Sequence, residues 1–359
     1  MLSHRGFVGH VLAFDRKYHS GRIPCCSIDK LGAIKNKNYF SRIPIFFTAL
    51  FKIRKEAKKS SYIYAFGTDL GIISYFACLG LKKFIVVEIG DLRWVQCSSS
   101  LVGKIFRKVE GFFAKRYNLI VVISDGFLNQ YYRNWLGLMT PGLVIENKIF
   151  EDDFKVFDVS TKTTSLSGKP LIDRPLRIGY FGLLRDEWSF NVLKTLADKH
   201  SSKFEIIFAG YPVTPGNLQK LISDSTSMSY LGEYKSPEDL ASIYSKVDMS
   251  WACYPEIKKD DYNFKWGRPN RFYEGCYFKK PFFCREGSLF AHDVDKYGIG
   301  ISVIDVNVEI VVSKLSKITY ENFSLWYESI RTLPKHLYIY QNEGVELASL
   351  LINNNKEIK

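Results

Sequence analysis

The chain lacks the apolar core of a signal peptide: its start, MLSHRGFVGH, is broken early by His and Arg. The best membrane-span candidate, Tyr62–Leu81, contains Asp69 and several glycines. A mid-span aspartate costs about 3 kcal/mol, so strand, turn and helix explain that stretch better than a bilayer crossing. The seven cysteines (Cys25, Cys26, Cys78, Cys97, Cys253, Cys276, Cys284) form no CxxC pair. An odd count without paired spacing argues against a disulfide framework and for reduced, buried thiols. The six histidines show no metal-ligand spacing, and GxxxxGK[ST], GxGxxG and HExxH are all missing. Acid is scarce in the first half. Residues 1–150 hold 23 Lys/Arg against 9 Asp/Glu, whereas residues 151–359 hold 27 against 28. The net charge of +13 is therefore concentrated in one half of the chain. Such a face suits an anionic partner such as phospholipid, nucleic acid or a phosphorylated substrate, or else is a solvated basic surface.

What is present is a long, well-populated core. With 359 residues, 46% of them hydrophobic, the chain is long enough for two domains. Strand-like runs alternate with helical patterns. Ser61–Phe66, Lys83–Ile89 and Asn118–Ile123 read as strands, the latter two as continuous apolar runs buried on both faces. Thr68–Leu79, Leu101–Arg116 and Phe127–Trp135 read as helices. In the second of these, Leu101, Ile105, Val109 and Phe112 or Phe113 share one face. Polar residues with Pro170 and Pro175 fill 151–175, the linker candidate. The rhythm then restarts with strands at Leu176–Tyr180, Phe204–Ala209, Ser229–Leu231, Met249–Cys253, Pro281–Cys284 and Gly300–Val303. Strands separated by helices predict parallel sheets. The expected fold is α/β, with two tandem Rossmann-like, doubly wound domains and a cleft between them. Domain one spans 1–150, domain two 176–340, and a C-terminal helix and tail 341–359.

The sharpest local pattern is Arg268-Pro269-Asn270-Arg271-Phe272-Tyr273-Glu274, followed by Lys280-Pro281 and an apolar strand. Pro269 suits a helix start, whose free N–H groups and partial positive charge favour a phosphate. Glu274 falls one turn after Asn270 and has the chemistry to accept ribose hydroxyls. By local physics alone, a solvated Glu274 on an amphipathic helix is an equal alternative.

This segment resembles the PNKxxEYxxxGxP motif of GT-B glycosyltransferases, the family 4-like enzymes of bacterial polysaccharide, O-antigen and capsule assembly. The resemblance implies that Glu274 contacts the donor ribose, with Pro269 and Asn270 shaping the loop. Many relatives carry a second glutamate eight positions earlier; here that position is Trp266. Arg177–Arg185 (RIGYFGLLR) resembles the first strand of the donor domain, with Gly182 ending the strand and Arg185 meeting the diphosphate. Lys265, Arg268 or Arg271 would supply a second cation. Gly210-Tyr211 would approach the donor base, and Ser236 would cap the helix after MSYLGEY. In the first domain, Glu88 lies at the end of a buried strand and Asp91 just after it. Asp91 is the first candidate for positioning or deprotonating the acceptor hydroxyl and Glu88 the second, with an N-cap or a salt bridge to Arg93 as the equal structural alternative.

The expected activity is transfer of a sugar from a UDP- or GDP-sugar to a lipid-linked glycan, with no cofactor and no metal. Asp293-Val-Asp295 reads as helix surface rather than a metal loop. The basic domain would hold an anionic membrane surface on the cytoplasmic side, as a peripheral protein. Three alternatives compete: a catalytically inactive GT-B-like scaffold, motivated by Trp266; a nucleotide-sugar epimerase on tandem Rossmann domains; and a nucleic-acid binder, for which no recognition motif accompanies the charge. Both stereochemical courses stay open, since relatives are mostly retaining while Asp91 would serve an inverting base.

Overall fold

The computed structural model describes residues 6–15, 27–33, 43–155, 174–253 and 262–358. Two compact units emerge, one of residues 1–146 with 342–359, the other of residues 147–341.

In the first unit, β1 (His10–Asp15) and β2 (Ser27–Ala33) form a parallel pair. They pack with α1 (Ile43–Lys59) through Leu31, Ala49 and Ile53. A four-stranded parallel sheet follows, built from β3 (Tyr62–Phe66), β4 (Phe84–Ile89), β5 (Leu119–Val122) and β6 (Gly142–Val144) in that spatial order. Between these strands lie α2 (Thr68–Ala77), α3 (Trp94–Cys97), α4 (Leu101–Ala114) and a π-helix, Phe127–Trp135. The segment Tyr62–Leu81 is thus strand plus helix, and no helix among the described residues is long and apolar enough to cross a membrane. Gly67, between β3 and α2, takes φ 89°, a backbone state that favours glycine.

The face shared by Leu101, Ile105, Val109 and Phe112 does exist, but it points to solvent. All four are exposed, while Gly103, Glu110, Phe113 and Ala114 form the buried side. The reason is Glu110. It accepts hydrogen bonds from Thr68 (3.1 Å), Gln96 (2.9 Å), Tyr131 (2.5 Å) and Tyr132 (2.9 Å). A carboxylate with four donors is a polar core, and it fixes which side of α4 turns inward. The wider π turn lets the sequence neighbours Tyr131 and Tyr132 both reach it.

The second unit holds α5 (Glu151–Lys155), β7 (Leu176–Leu184), α6 (Glu187–Lys199), β8 (Phe204–Pro212), α7 (Leu218–Leu221), β9 (Met228–Tyr230), α8 (Leu240–Ser245) and β10 (Met249–Trp251). It continues through α9 (Tyr262–Trp266), α10 (Asn270–Tyr277), β11 (Phe282–Arg285), α11 (Leu289–Tyr297), β12 (Gly300–Val303), α12 (Val308–Leu315) and α13 (Tyr320–Thr332). Six parallel strands lie in the order β12-β11-β10-β7-β8-β9. That is the doubly wound order, with its switch point between β7 and β10.

Three expectations need correction here. The segment 151–175 is not all linker: α5 belongs to the second unit, where Phe154 is buried and stacks on Tyr277 at 4.9 Å. Residues 156–173 of that segment lie outside the described residues. The helix after MSYLGEY begins at Leu240, so Ser236 is not its cap; Asp239 turns its carboxylate to the Lys235 N–H at 2.8 Å. Finally the C-terminal helix expected in 341–359, α14 (Glu343–Ile358), is not a separate segment but belongs to the first unit. Leu347 and Leu351 pack on Phe84, Val86, Leu119 and Val121, and Tyr62 donates to the Leu351 carbonyl at 2.8 Å. Burying each leucine is worth about 1.5–3 kcal/mol, enough to hold the helix to that sheet face. All five cysteines among the described residues are buried.

Candidate active site

The switch point of the second unit gathers the donor-site candidates. β7 runs two residues past Gly182, to Leu184, so Gly182 lies inside the strand rather than ending it. It takes φ 96° and pairs in register with Gly210, which takes φ 118°. A Cβ on Gly210 would sit 2.0 Å from the Gly182 carbonyl oxygen. Gly210 is therefore demanded by the approach of two strands. Gly210→Ala will cost about 2–4 kcal/mol of stability, read as a lower denaturation midpoint, because the obstructing atom is backbone and cannot swing aside.

Pro269 precedes α10 in an extended conformation, so the helix opens at Asn270. Asn270 is exposed, and its side-chain oxygen accepts from Asn147 at 3.2 Å. Arg271 lies over the Tyr180 ring, 5.2 Å from its centroid, and donates to the Trp251 carbonyl at the end of β10 at 3.1 Å. Those two contacts bring one guanidinium to both sides of the switch point, β7 and β10. Glu274 is half-buried; its Oε2 accepts from the Tyr244 hydroxyl at 2.9 Å, and its Oε1 has no hydrogen-bond partner among the described residues. Burial pushes the Glu274 carboxyl above the usual range, partly offset by the Tyr244 bond and the Arg271 charge. Tyr234 and Tyr244 are both pushed up, first by burial and then by the Glu274 charge. Glu274, Arg271, Tyr234 and Tyr244 thus form one interacting cluster. A carboxylate with one oxygen anchored and one open can accept a ligand hydroxyl, and the guanidinium beside it suits an anion.

Other sequence candidates take different places. Arg185, just beyond β7, is exposed with its guanidinium 5.6 Å from the Phe264 ring. Lys265 and Tyr211 are exposed, and Lys265 lies 5.5 Å from the Tyr262 ring. Arg268 forms a largely buried ion pair with Asp293 at 2.6 Å, so its charge is already matched. Of the two arginines, Arg271 is the one that touches both β7 and β10. Asp295 accepts from Ser302 at 2.9 Å, and no His, Cys, Asp and Glu grouping fit for a metal occurs among the described residues. Trp266, at the position of the second glutamate of relatives, packs on Tyr262 at 4.5 Å. Sequence reasoning missed Tyr244, which lies 30 positions before Glu274 and carries no motif of its own, and did not single out Tyr180 within RIGYFGLLR.

In the first unit, Glu88 is the last residue but one of β4 and accepts from Tyr64 at 2.6 Å. Burial raises its pKa, and the Tyr64 bond partly offsets this. Asp91 is exposed two residues beyond β4. Arg93 makes a two-pronged bond to Asp69, both contacts at 2.9 Å, so the pairing of that arginine runs to α2.

No family model matches the chain. It is 27% identical over 314 residues to the succinoglycan biosynthesis protein ExoL of Rhizobium meliloti, covering 84% of this chain and 77% of that protein. Among solved structures, sucrose-phosphate synthase from Thermosynechococcus elongatus is similar with a TM-score of 0.69 and 14% identity, over 98% of this chain and 90% of that one. Anabaena HepE, solved with UDP, gives 0.64 and 12% over 91% and 86%. A glycosyltransferase from Rickettsia africae gives 0.62 and 15% over 93% and 85%. By sheet order and by these similarities, the chain has the GT-B fold.

Proposed function

We propose that this protein transfers a sugar from a nucleoside-diphosphate donor to a lipid-linked glycan during assembly of a cell-surface polysaccharide. The observation that carries the reading is the Glu274–Arg271 cluster at the switch point of a doubly wound sheet. In this reading Glu274 Oε1 accepts a ribose hydroxyl, and Arg271 with Arg185 faces the diphosphate. The N-terminus of α10 and the close backbone at Gly182 complete the phosphate side. As the glycosidic bond to the diphosphate lengthens, negative charge grows on the leaving oxygen, and fixed cations stabilise it. The proposal assigns that work to arginine rather than to a divalent ion. Both Asp293 and Asp295 already have protein partners, which favours this assignment. HepE was solved with UDP, with UDP and glucose, and with UDP-glucose, which favours a uridine donor here. The kinship with ExoL favours polysaccharide assembly.

The acceptor belongs to the first unit, with Asp91 as the base and Glu88 as the second candidate. That unit carries the basic excess, so it would meet an anionic membrane on the cytoplasmic side. The direct experiment is a thermal-shift screen of UDP-, GDP- and ADP-sugars. One donor is expected to raise Tm, because a ligand at about 100 times its Kd stabilises the folded state by about 2.7 kcal/mol. No shift with any of them would sink the donor reading. Epimerised donor appearing without acceptor would replace transfer by epimerisation.

A further inference from the structure

We propose that the outward face of α4 docks the protein on an anionic phospholipid bilayer, inserting an apolar stripe beside a cationic flank. This deepens the membrane reading above and rests on it only for the sign of the surface. The stripe comprises Leu101 (73% exposed), Val102 (66%), Ile105 (54%), Val109 (45%) and Phe112 (52%). Their spacing keeps most of them on one line along a helix of 14 residues, about 21 Å. An apolar helix face normally turns to the core. Here the buried Glu110 holds the opposite side inward, and a Cβ at Gly103 would lie 2.4 Å from the Ser98 carbonyl, so the helix is seated closely. The stripe is therefore held outward by design of the polar core. Phe76 and Leu79 of the α2 region extend it: both are exposed, and the Phe76 ring lies 5.4 Å from that of Phe113.

The flank toward the π-helix is cationic. Lys104, Lys108, Lys115 and Arg116 are exposed beside the stripe. With Phe112 and Trp135 they line an open pocket of about 680 Å³. The helix's lone carboxylate, Glu110, is buried, so no acid on α4 opposes an anion. Arg107 lines the same pocket with its guanidinium fixed to the carbonyls of Gln96 and Ser98 at 2.8 and 2.7 Å. An amphipathic surface helix of this composition lies in the headgroup plane, its apolar side among acyl chains and its cations at phosphate level. Nucleic acid would use the cations but leave Leu101, Val102 and Ile105 in water. A second copy meeting the same face would set lysines against lysines.

The test is co-flotation of the full chain with vesicles of phosphatidylglycerol and phosphatidylcholine, or of phosphatidylcholine alone. Binding is expected to the anionic vesicles, at least about ten-fold above the neutral ones, and to weaken with salt. The Lys104→Gln/Lys108→Gln double variant should lose about 25-fold, taking about five-fold per basic residue at such a surface. The Leu101→Ser/Ile105→Ser/Phe112→Ser variant should lose more than about ten-fold at every salt concentration. A Phe112→Trp variant, which leaves the stripe intact, should show extra quenching by brominated lipid. Wild-type failure to float, full binding by the serine variant, or absence of that extra quenching would overturn the proposal, as would binding to RNA in preference to vesicles. All variants should keep the Tm response to the sugar nucleotide. Loss of flotation with that response intact removes only the docking surface; flotation without it removes only the donor reading.

Discussion

Replacing Glu274 by alanine is expected to weaken donor binding about 100-fold, measured by titration calorimetry against the sugar nucleotide that wins the thermal-shift screen. A hydrogen bond to a charged acceptor is worth about 1.5–3 kcal/mol, and the proposed ribose hydroxyl on Oε1 would lose one. The fold should stand, because only Tyr244 loses its partner. The pH dependence is the sharper check. Burial raises the Glu274 pKa, so the free enzyme takes up a proton at a higher pH than an ordinary glutamate would. Donor affinity should therefore fall, as pH is lowered, from above the ordinary glutamate range of about 4.3. Glu274→Gln should bind weakly with a flat profile in that window. A wild-type affinity that held constant down to the ordinary range would remove the carboxylate from the ribose.

Glu110→Ala is expected to destabilise the first unit by about 3–5 kcal/mol, the largest stability effect outside the candidate site. The alanine leaves Thr68, Gln96, Tyr131 and Tyr132 with donors aimed at a void. Glu110→Gln keeps the volume and one carbonyl acceptor and should cost far less. Burial pushes the Glu110 carboxyl up, and none of its hydrogen-bond partners is a cation. A carboxyl whose folded pKa is raised gives stability that is full below its unfolded pKa and is lost as pH rises through the folded one. Wild type should thus lose stability relative to Glu110→Gln between about pH 4 and the raised pKa. Parallel urea curves for the two proteins across that range test it. Identical pH slopes would mean that Glu110 ionises freely in the folded chain.

Much of the architecture is legible in the sequence because its cause is local. FIVVEI at β4 and LIVV at β5 are apolar on both faces, and only a sheet covered on both sides accommodates that. The stretch from Asn270 to Glu274 is legible for a similar reason: proline sets the helix start and the helical repeat places the carboxylate one turn on. Other features have distant causes. β7 and β8 outrun their predicted ends because Gly182 and Gly210 let two backbones approach in register, and neither glycine reveals the other in the sequence. Arg268 and Arg271 look equivalent in the motif, yet Asp293, 25 positions after Arg268, takes the first and leaves the second at the switch point.

The amino-acid order alone determined an α/β chain of parallel strands, a basic first half, and a carboxylate beside arginines at a helix start. Those follow from periodicity, charge counts and capping chemistry, which act over a few residues. Tertiary structure decided which way α4 faces, which arginine stays at the candidate site, and that α14 packs in the first unit. Each of these is set by a partner remote in the chain: Tyr131 and Tyr132 for Glu110, Asp293 for Arg268, Phe84 and Val86 for Leu347. A buried charge or an apolar face takes the orientation in which such partners satisfy it, and that choice exists only once the chain has folded.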